Sequence, residues 1–111
     1  MVPVRIKEKS WLARLAAWKL GFNYVAMVFG RTIHLHNTTT ADFFKRPSWV
    51  RHELKHVEQY DQHGMLRFLW KYFREYIRVG YYQNAFEVEA RMAESDDSLL
   101  TKYDLSRYKQ L

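Results

Sequence analysis

The pattern His-Glu-x-x-His formed by His52, Glu53 and His56 constrains the fold more than any other feature of the sequence. Side chains four residues apart lie one turn apart on the same side of an α-helix, so a helix here brings both imidazoles to one metal ion. Glu53 then lies next to the ion, within reach of a water molecule on it. The pattern predicts a helix that carries a zinc site, and the alternative is a helix with two surface histidines and solvated charges.

The amino-acid composition restricts the kinds of metal ligand. The chain has 111 residues, enough for a real core, and we expect one domain over residues 1–111. It has no cysteine, so a metal ion would have to be held by histidines and carboxylates. The formal net charge of +6 favours contact with polyanions or acidic surfaces but identifies none of them.

The hydrophobic segments of the sequence are short. The longest uncharged run, residues 20–30, is too short to span a bilayer. Residues 11–20 are interrupted by Arg14 and Lys19 and make a poor signal-peptide core. We therefore expect a cytoplasmic protein.

Apolar residues recur at helical spacing over residues 9–20, which predicts a first helix ended by Gly21. We expect its apolar face to pack into the core, with Arg14 and Lys19 opposite. A helix lying on a membrane surface is the alternative, favoured by the tryptophans. The apolar residues are Trp11, Leu12, Leu15, Ala16 and Trp18.

Two runs rich in β-branched and aromatic residues, 24–29 and 32–36, flank Gly30 and predict a hairpin. In the second run Ile33 and Leu35 should point to one face, and Thr32, His34 and His36 to the other. We expect this second face to be exposed. The alternative is that His34 and His36 contact an active site or a metal.

Three further helices are predicted after a polar connection, residues 37–46, in which Phe43 and Phe44 are available as anchors. Pro47 and Gly64 bound a helix over 47–62, and Gly80 closes one over 65–79. Asn84 begins a helix to about residue 97, and the tail from Ser98 is expected to pack as a short helix. On these helices, Lys55, Glu58 and Asp61 are expected in solvent, as is a basic stripe that could instead bind phosphates: Arg67, Lys71, Arg74 and Arg78.

Several residues after His56 could complete the metal site. A third histidine at the spacing His-Glu-x-x-His-x-x-Gly-x-x-His is excluded, because Gln59 and Gln62 occupy the glycine and histidine positions. A glutamate from a later helix is the other common solution. The candidates are Glu75, Glu87, Glu89 and Glu94.

The metal motif, continued as His-x-x-Gln-Tyr, and the later run Asn84-Ala85-Phe86-Glu87-Val88-Glu89-Ala90 resemble small zincin-like metallopeptidases of the gluzincin type. Those metallopeptidases are related to the minimal gluzincins and to the metallopeptidase-like core domain of contractile injection systems. The resemblance covers residues 33–94. It implies a mostly helical α+β zincin-like core, with a short β-hairpin, the motif helix and a glutamate helix.

The resemblance also implies roles for individual residues. Glu87 would be the third ligand of a Zn²⁺ ion, Glu53 the general base, and Ala90 the residue that allows close packing of the glutamate helix. A peptide or protein substrate would lie extended along a strand edge, for which residues 32–36 are the expected candidate. An oxyanion-stabilising group would come from Tyr76, Tyr81, Tyr82, His34 or His36.

Arg91 departs from the gluzincin pattern, which places at this position an aspartate that orients a ligand histidine. Arginine only donates hydrogen bonds, so Glu94, Glu89 or a backbone carbonyl would have to do this.

Two other functions therefore remain as alternatives: a zinc-holding interaction module without activity, and a basic helical module that binds nucleic acid or an anionic membrane. Iron or manganese would also fit the ligands, although helix spacing and Glu53 favour zinc. The sequence indicates no oligomeric state.

Overall fold

The computed structural model describes residues 2–106, which form a mostly helical α+β fold, as predicted. The strands are β1 (Val2–Pro3), β2 (Arg5–Lys7), β3 (Val25–Phe29), β4 (Thr32–His36) and β5 (Tyr103–Asp104). The helices are α1 (Trp11–Leu20), α2 (Thr40–Phe44), α3 (Pro47–His63), α4 (Met65–Gln83), α5 (Ala85–Met92) and α6 (Ser98–Lys102). A 3₁₀ turn, Ala93–Ser95, follows α5.

A three-stranded sheet in the order β2-β4-β3 forms the β part of the core. The predicted hairpin is confirmed, because β3 and β4 pair antiparallel across a two-residue turn in which Gly30 has a φ of 67°. The sequence did not predict β2, which pairs parallel with β4. As a result β4 lies in the middle of the sheet and β3 forms one of its edges.

The sheet lies between α1 and α3. On the α3 side, Ile33 and Leu35 of β4 and Val28 of β3 belong to one buried cluster with Leu54 and Val57. On the other side, Val25 packs with Ala13 and Ala17 of α1. The first and last strands of the described residues meet beside this core, where β1 and β5 pair in parallel.

The face of β4 that carries His34 was expected to be exposed, but it is not. His34 is buried, and its Nδ1 lies 2.7 Å from the hydroxyl oxygen of Ser10, the residue that caps α1. Burial, together with the nearby charge of Lys7, lowers the pKa of His34. His36 is half-buried. The prediction for His34 was wrong because α1 lies across this face of the sheet.

The prediction of which face of α1 packs into the core was also wrong. Trp11, Leu15 and Trp18 are exposed, whereas the buried residues of the helix are Ala13 and Ala17. Two small residues let the helix lie close to the sheet, and the large apolar side chains then fall on the solvent side. The helix ends at Gly21, as predicted, in a left-handed conformation with a φ of 77°.

The metal-motif helix α3 has the predicted bounds to within one residue, with Pro47 in its first turn and Gly64 after its last residue. Lys55 and Glu58 are half-buried rather than in solvent, and their charged atoms lie 2.6 Å apart. Lys102 of α6 also pairs with Glu58, at 3.0 Å. Asp61 pairs with Arg31.

The connection before α3 contains the short helix α2, which the sequence did not predict. Its N-terminus is capped by Thr39, whose side chain accepts a hydrogen bond from the backbone N–H of Asp42. Phe43 is fully buried and acts as the predicted anchor, with Phe44 packed beside it.

Gly80 interrupts α4 with a φ of 82°, close to the predicted end of that helix. Asn84 caps α5, which is shorter than predicted because a 3₁₀ turn follows Met92. The expected short helix in the tail is α6, and Tyr108 of the tail lies outside the described residues. Neither α4 nor any other helix within residues 2–106 combines the length and apolar character needed to cross a bilayer.

Candidate metal centre

Two faces of α3 have different roles in positioning the histidines. Val50, Leu54 and Val57 are buried in the main core and fix the rotation of the helix. This rotation directs His52 and His56 towards α5, with 13% and 8% of their side chains exposed. The helical spacing of the motif therefore brings both imidazoles to the α3–α5 interface, as predicted.

The position of α5 depends on Gly80 and Asn84. The left-handed glycine ends the regular part of α4 and allows the chain to turn back. Asn84 is fully buried; its Oδ1 accepts from the N–H of Phe86, and its Nδ2 donates to the carbonyl of Tyr72. This fixes the first turn of α5 with Glu87 buried and facing α3.

His52, His56 and Glu87 converge, and we call them the His–His–Glu cluster. Nε2 of His52 and Nε2 of His56 each lie 3.1 Å from Oε1 of Glu87. One potential ligand atom from each residue lies within 4.8 Å of the others. In a tetrahedral zinc site with bonds of about 2.0–2.1 Å, ligand atoms are about 3.3 Å apart, so this spacing and donor set fit a divalent cation such as zinc.

The ring nitrogens that face away from the cluster have their own partners. Nδ1 of His52 lies 2.8 Å from a carboxylate oxygen of Glu94, and Nδ1 of His56 lies 2.8 Å from the side-chain oxygen of Gln59. Gln59 in turn donates to Glu89, at 2.8 Å. These bonds favour the tautomer in which both Nε2 atoms are free to bind a cation.

The second oxygen of Glu87 is also held. The hydroxyl of Tyr72 donates to Oε2 of Glu87, at 2.5 Å. Burial alone would raise the pKa of Glu87, but hydrogen bonds with His52 and His56 outweigh it and keep that pKa well below its ordinary value. Glu87 is therefore a carboxylate, the form that binds a metal.

The two imidazoles share protons with this carboxylate. Burial disfavours their charged forms, yet the hydrogen bonds to Glu87 raise the pKa of both His52 and His56, with Glu94 contributing at His52. A divalent cation would replace these protons, since metal binding requires neutral imidazole.

Glu53 is buried beside the His–His–Glu cluster and lines both cavities that reach it. Burial raises the pKa of Glu53 to about 8; the charge of His56 opposes the shift and the charges of Glu87 and Glu94 add to it. This is the position expected for a group that exchanges a proton with a water near the cation.

The first cavity has a volume of about 450 Å³ and reaches His56, Glu53 and Glu87 between α1, β3 and α4. Its other lining is almost entirely apolar or aromatic, including Leu69 and Phe73 of α4. The second cavity, about 570 Å³, reaches His52 and Glu53 from the other side, past Trp49 and Arg91. Ala26, Glu53 and Tyr81 line both cavities, so the cluster lies where the two meet.

The free strand edge beside the cluster is β3, not residues 32–36 as expected. Strand β4 is flanked by β2 and β3 and offers no edge. The carbonyl of Val28 points to the outer edge of β3, where it accepts a hydrogen bond from the hydroxyl of Tyr60. Ala26, two residues earlier, therefore directs its backbone groups to the same edge, towards both cavities.

The five residues considered as oxyanion-stabilising groups lie in different places. Tyr81 lines both cavities, Tyr76 lines the apolar one and Tyr82 the other. His34 is buried under α1, and His36 lines neither cavity. Tyr81 thus comes closest to the expected position.

Arg91 does not contact the cluster. Its guanidinium donates to the carbonyl of Tyr82 and lies 4.0 Å from the centre of the Tyr82 ring. Of the acceptors proposed in place of the missing aspartate, Glu94 orients His52 directly and Glu89 acts on His56 through Gln59.

Sequence reasoning missed Gln59 and Tyr72 as partners of the cluster. Gln59 follows His56 by three residues on one helix, so its proximity was available from the spacing. Tyr72 is on another helix, and nothing in the sequence marked it.

Comparisons of the chain with protein-family models, curated proteins and solved structures found no match.

Proposed function

We propose that this protein is a zinc-dependent metallopeptidase of the gluzincin type. The observation that carries the proposal is the convergence of Nε2 of His52, Nε2 of His56 and Oε1 of Glu87, with Glu53 at the same junction of two cavities. Three ligands, an open side and an adjacent carboxylate are the arrangement of a catalytic zinc site rather than a structural one.

The residues of the chain have distinct roles in the proposed reaction. A bound zinc ion would supply the Lewis acidity that makes water nucleophilic near neutral pH. In its ionised form, Glu53 takes the proton of the attacking water and returns it to the leaving amine. Tyr81 remains protonated, because burial raises its pKa, and donates a hydrogen bond to the oxyanion.

Hydrogen bonding around the cluster supports activity despite Arg91. The gluzincin pattern needs an acceptor that fixes the ligand imidazole, and Glu94 is that acceptor for His52. Gln59 does the same for His56. The site therefore does not need the aspartate that the gluzincin pattern places at position 91.

The proposed substrate is a peptide lying extended along the edge of β3. The backbone of Ala26 would pair with it as an added strand, which places a peptide bond near Glu53. A neighbouring substrate side chain would enter the cavity of about 450 Å³ between α1 and α4, so we expect a preference for large apolar residues.

Zinc is the proposed metal because two imidazoles and one carboxylate at tetrahedral spacing suit it, although iron and manganese accept the same ligands. The proposal keeps the cytoplasmic location expected from the charged residues of α1.

The test compares wild type with Glu53→Gln and with Glu58→Gln, a matched change on the same helix. After zinc loading and dialysis, we expect one zinc per chain in all three proteins. Wild type and Glu58→Gln should cut members of a peptide library that Glu53→Gln leaves intact, by a factor of at least about 100 in rate.

Other outcomes identify the rival functions. Zinc retention with no cleavage by wild type would indicate an inactive zinc-holding module. Loss of all zinc on dialysis would mean that the motif is accidental, and both results reject the peptidase.

A further inference from the structure

Large apolar side chains form two exposed rows on the helices that flank the apolar cavity. On α1 and the residue after its glycine cap, the row consists of Trp11, Leu15, Trp18 and Phe22, with Trp18 78% exposed. On α4 it consists of Leu66, Trp70, Phe73 and Ile77, with Leu66 81% exposed. Spacings of three and four residues place the members of each row that lie within a helix on one face of it, and Phe22 follows the glycine cap of α1. We call these eight residues the apolar surface.

Both helices that carry the rows line the same cavity. Leu20 of α1 and Leu69 of α4 line the cavity of about 450 Å³, and Phe73 belongs to both the cavity wall and the exposed row. The rings of Phe22 and Tyr81 are in contact, with centroids 6.0 Å apart, which joins the end of α1 to the end of α4. Helices α1 and α4 therefore flank the cavity, and Phe73 joins the apolar surface to its wall.

Basic residues accompany each row. Arg67, Lys71, Arg74 and Arg78 follow α4 beside its apolar row, where Glu75 is the one acidic residue between positions 65 and 83. Arg14 and Lys19 flank the row on α1, a helix without acidic residues. Exposed apolar rows with tryptophans and a basic border are the pattern of helices that lie in the headgroup region of a bilayer.

We propose that the apolar surface binds an anionic lipid bilayer, with the cavity between α1 and α4 facing the lipid. The charges argue for this occupant, because the basic borders complement anionic headgroups, whereas a second copy of the chain would place like charges together. Nucleic acid would complement the charge but would leave Leu66 and Ile77 in water. The proposal goes beyond peptidase activity, and none of the eight residues of the apolar surface belongs to the His–His–Glu cluster.

The test is sedimentation with lipid vesicles. Wild type should partition onto phosphatidylcholine vesicles that contain phosphatidylglycerol at least about tenfold more strongly than onto pure phosphatidylcholine. The double variant Leu66→Ser/Ile77→Ser should lose at least about tenfold of that partition, whereas Met92→Ser, a 76% exposed residue on α5, should not. All three side chains changed in these variants lie on the surface, so helical content by circular dichroism should be unchanged.

Two charge-reversal variants distinguish an effect of the basic border from an effect of the net charge. Arg74→Glu and Lys45→Glu change the net charge equally, but only Arg74→Glu should weaken binding to the anionic vesicles, by about fivefold. Wild type that stays in solution with both vesicles would overturn the proposal. So would a wild-type dimer that Leu66→Ser/Ile77→Ser converts to monomer, since the apolar surface would then join two copies.

Discussion

Between α3 and α5, titratable side chains are buried and hydrogen-bonded to one another, whereas on α1 and α4 large apolar side chains face solvent. Both regions reverse the usual distribution, in which charges are outside and apolar groups inside. In the first region every buried group has a partner, which is the condition for burying it. We infer different causes for the two reversals: the proposed cation site accounts for the first, and the proposed apolar partner for the second.

Removing a metal ligand is the change expected to have the largest effect. Glu87→Gln replaces the carboxylate that both imidazoles face with a neutral amide, so zinc affinity should fall by at least about 1000-fold, more than the 10–100-fold typical of outer hydrogen-bond partners. Competition with a fluorescent zinc chelator would measure it.

Two controls show whether the loss follows ligation. Glu94→Ala removes the partner of His52 Nδ1 and should lower affinity by about 10–100-fold. Glu89→Gln keeps an acceptor for Gln59 and should change affinity little. A stronger loss of zinc affinity in Glu89→Gln than in Glu87→Gln would show that Glu89, and not Glu87, is the third ligand.

The buried region should also make stability depend on pH. The pKa of Glu53 is raised from 4.5 to about 8, mainly by burial, and those of His52 and His56 are raised from 6.5, where hydrogen bonds to Glu87 outweigh burial. At these three groups the metal-free folded protein binds more protons than the unfolded chain. His34, whose pKa is lowered, opposes them only below about 6.5, so stability should fall as pH rises from 6.5 to about 8.

Thermal unfolding in the presence of a chelator would measure this trend, and zinc provides the control. Because zinc competes with protons, the difference between the zinc-loaded and metal-free midpoints should grow over the same range. Stability of the metal-free protein that rises with pH between 6.5 and about 8 would contradict the buried, proton-sharing cluster.

Changes on the apolar surface should have the smallest effect on stability. Leu66→Ser/Ile77→Ser exchanges exposed side chains, so the free energy of unfolding should change by no more than about 0.5 kcal/mol per site. Leu54→Ala, in the buried core, should cost about 2–5 kcal/mol in the same urea titration. A loss above about 1 kcal/mol per surface site would mean that these side chains are buried in solution.

Local signals predicted the elements that carry the candidate site. Pro47 and Gly64 bounded α3, Gly80 ended the regular part of α4, and Asn84 began α5. Helical spacing then placed His52 and His56 on one face. The choice of Glu87 needed the resemblance, because spacing within α5 does not say which of its glutamates faces α3.

The sequence failed where long-range packing decides. Strand β2 has three residues and forms only because β4 accepts it, so residues 32–36 looked like an edge. On α1 the rule that apolar faces are buried selected Trp11, Leu15 and Trp18, but small Ala13 and Ala17 pack on the sheet. The same position of α1 covers His34, which period-two alternation had placed in solvent.

Anomalous diffraction from crystals grown with zinc, recorded on both sides of the zinc absorption edge, would show whether His52, His56 and Glu87 bind one zinc ion. We expect one strong peak within about 2.0–2.2 Å of Nε2 of His52, Nε2 of His56 and a carboxylate oxygen of Glu87. The absence of a peak among these three residues, or side chains that point apart in the crystals grown with zinc, would contradict the proposed zinc site.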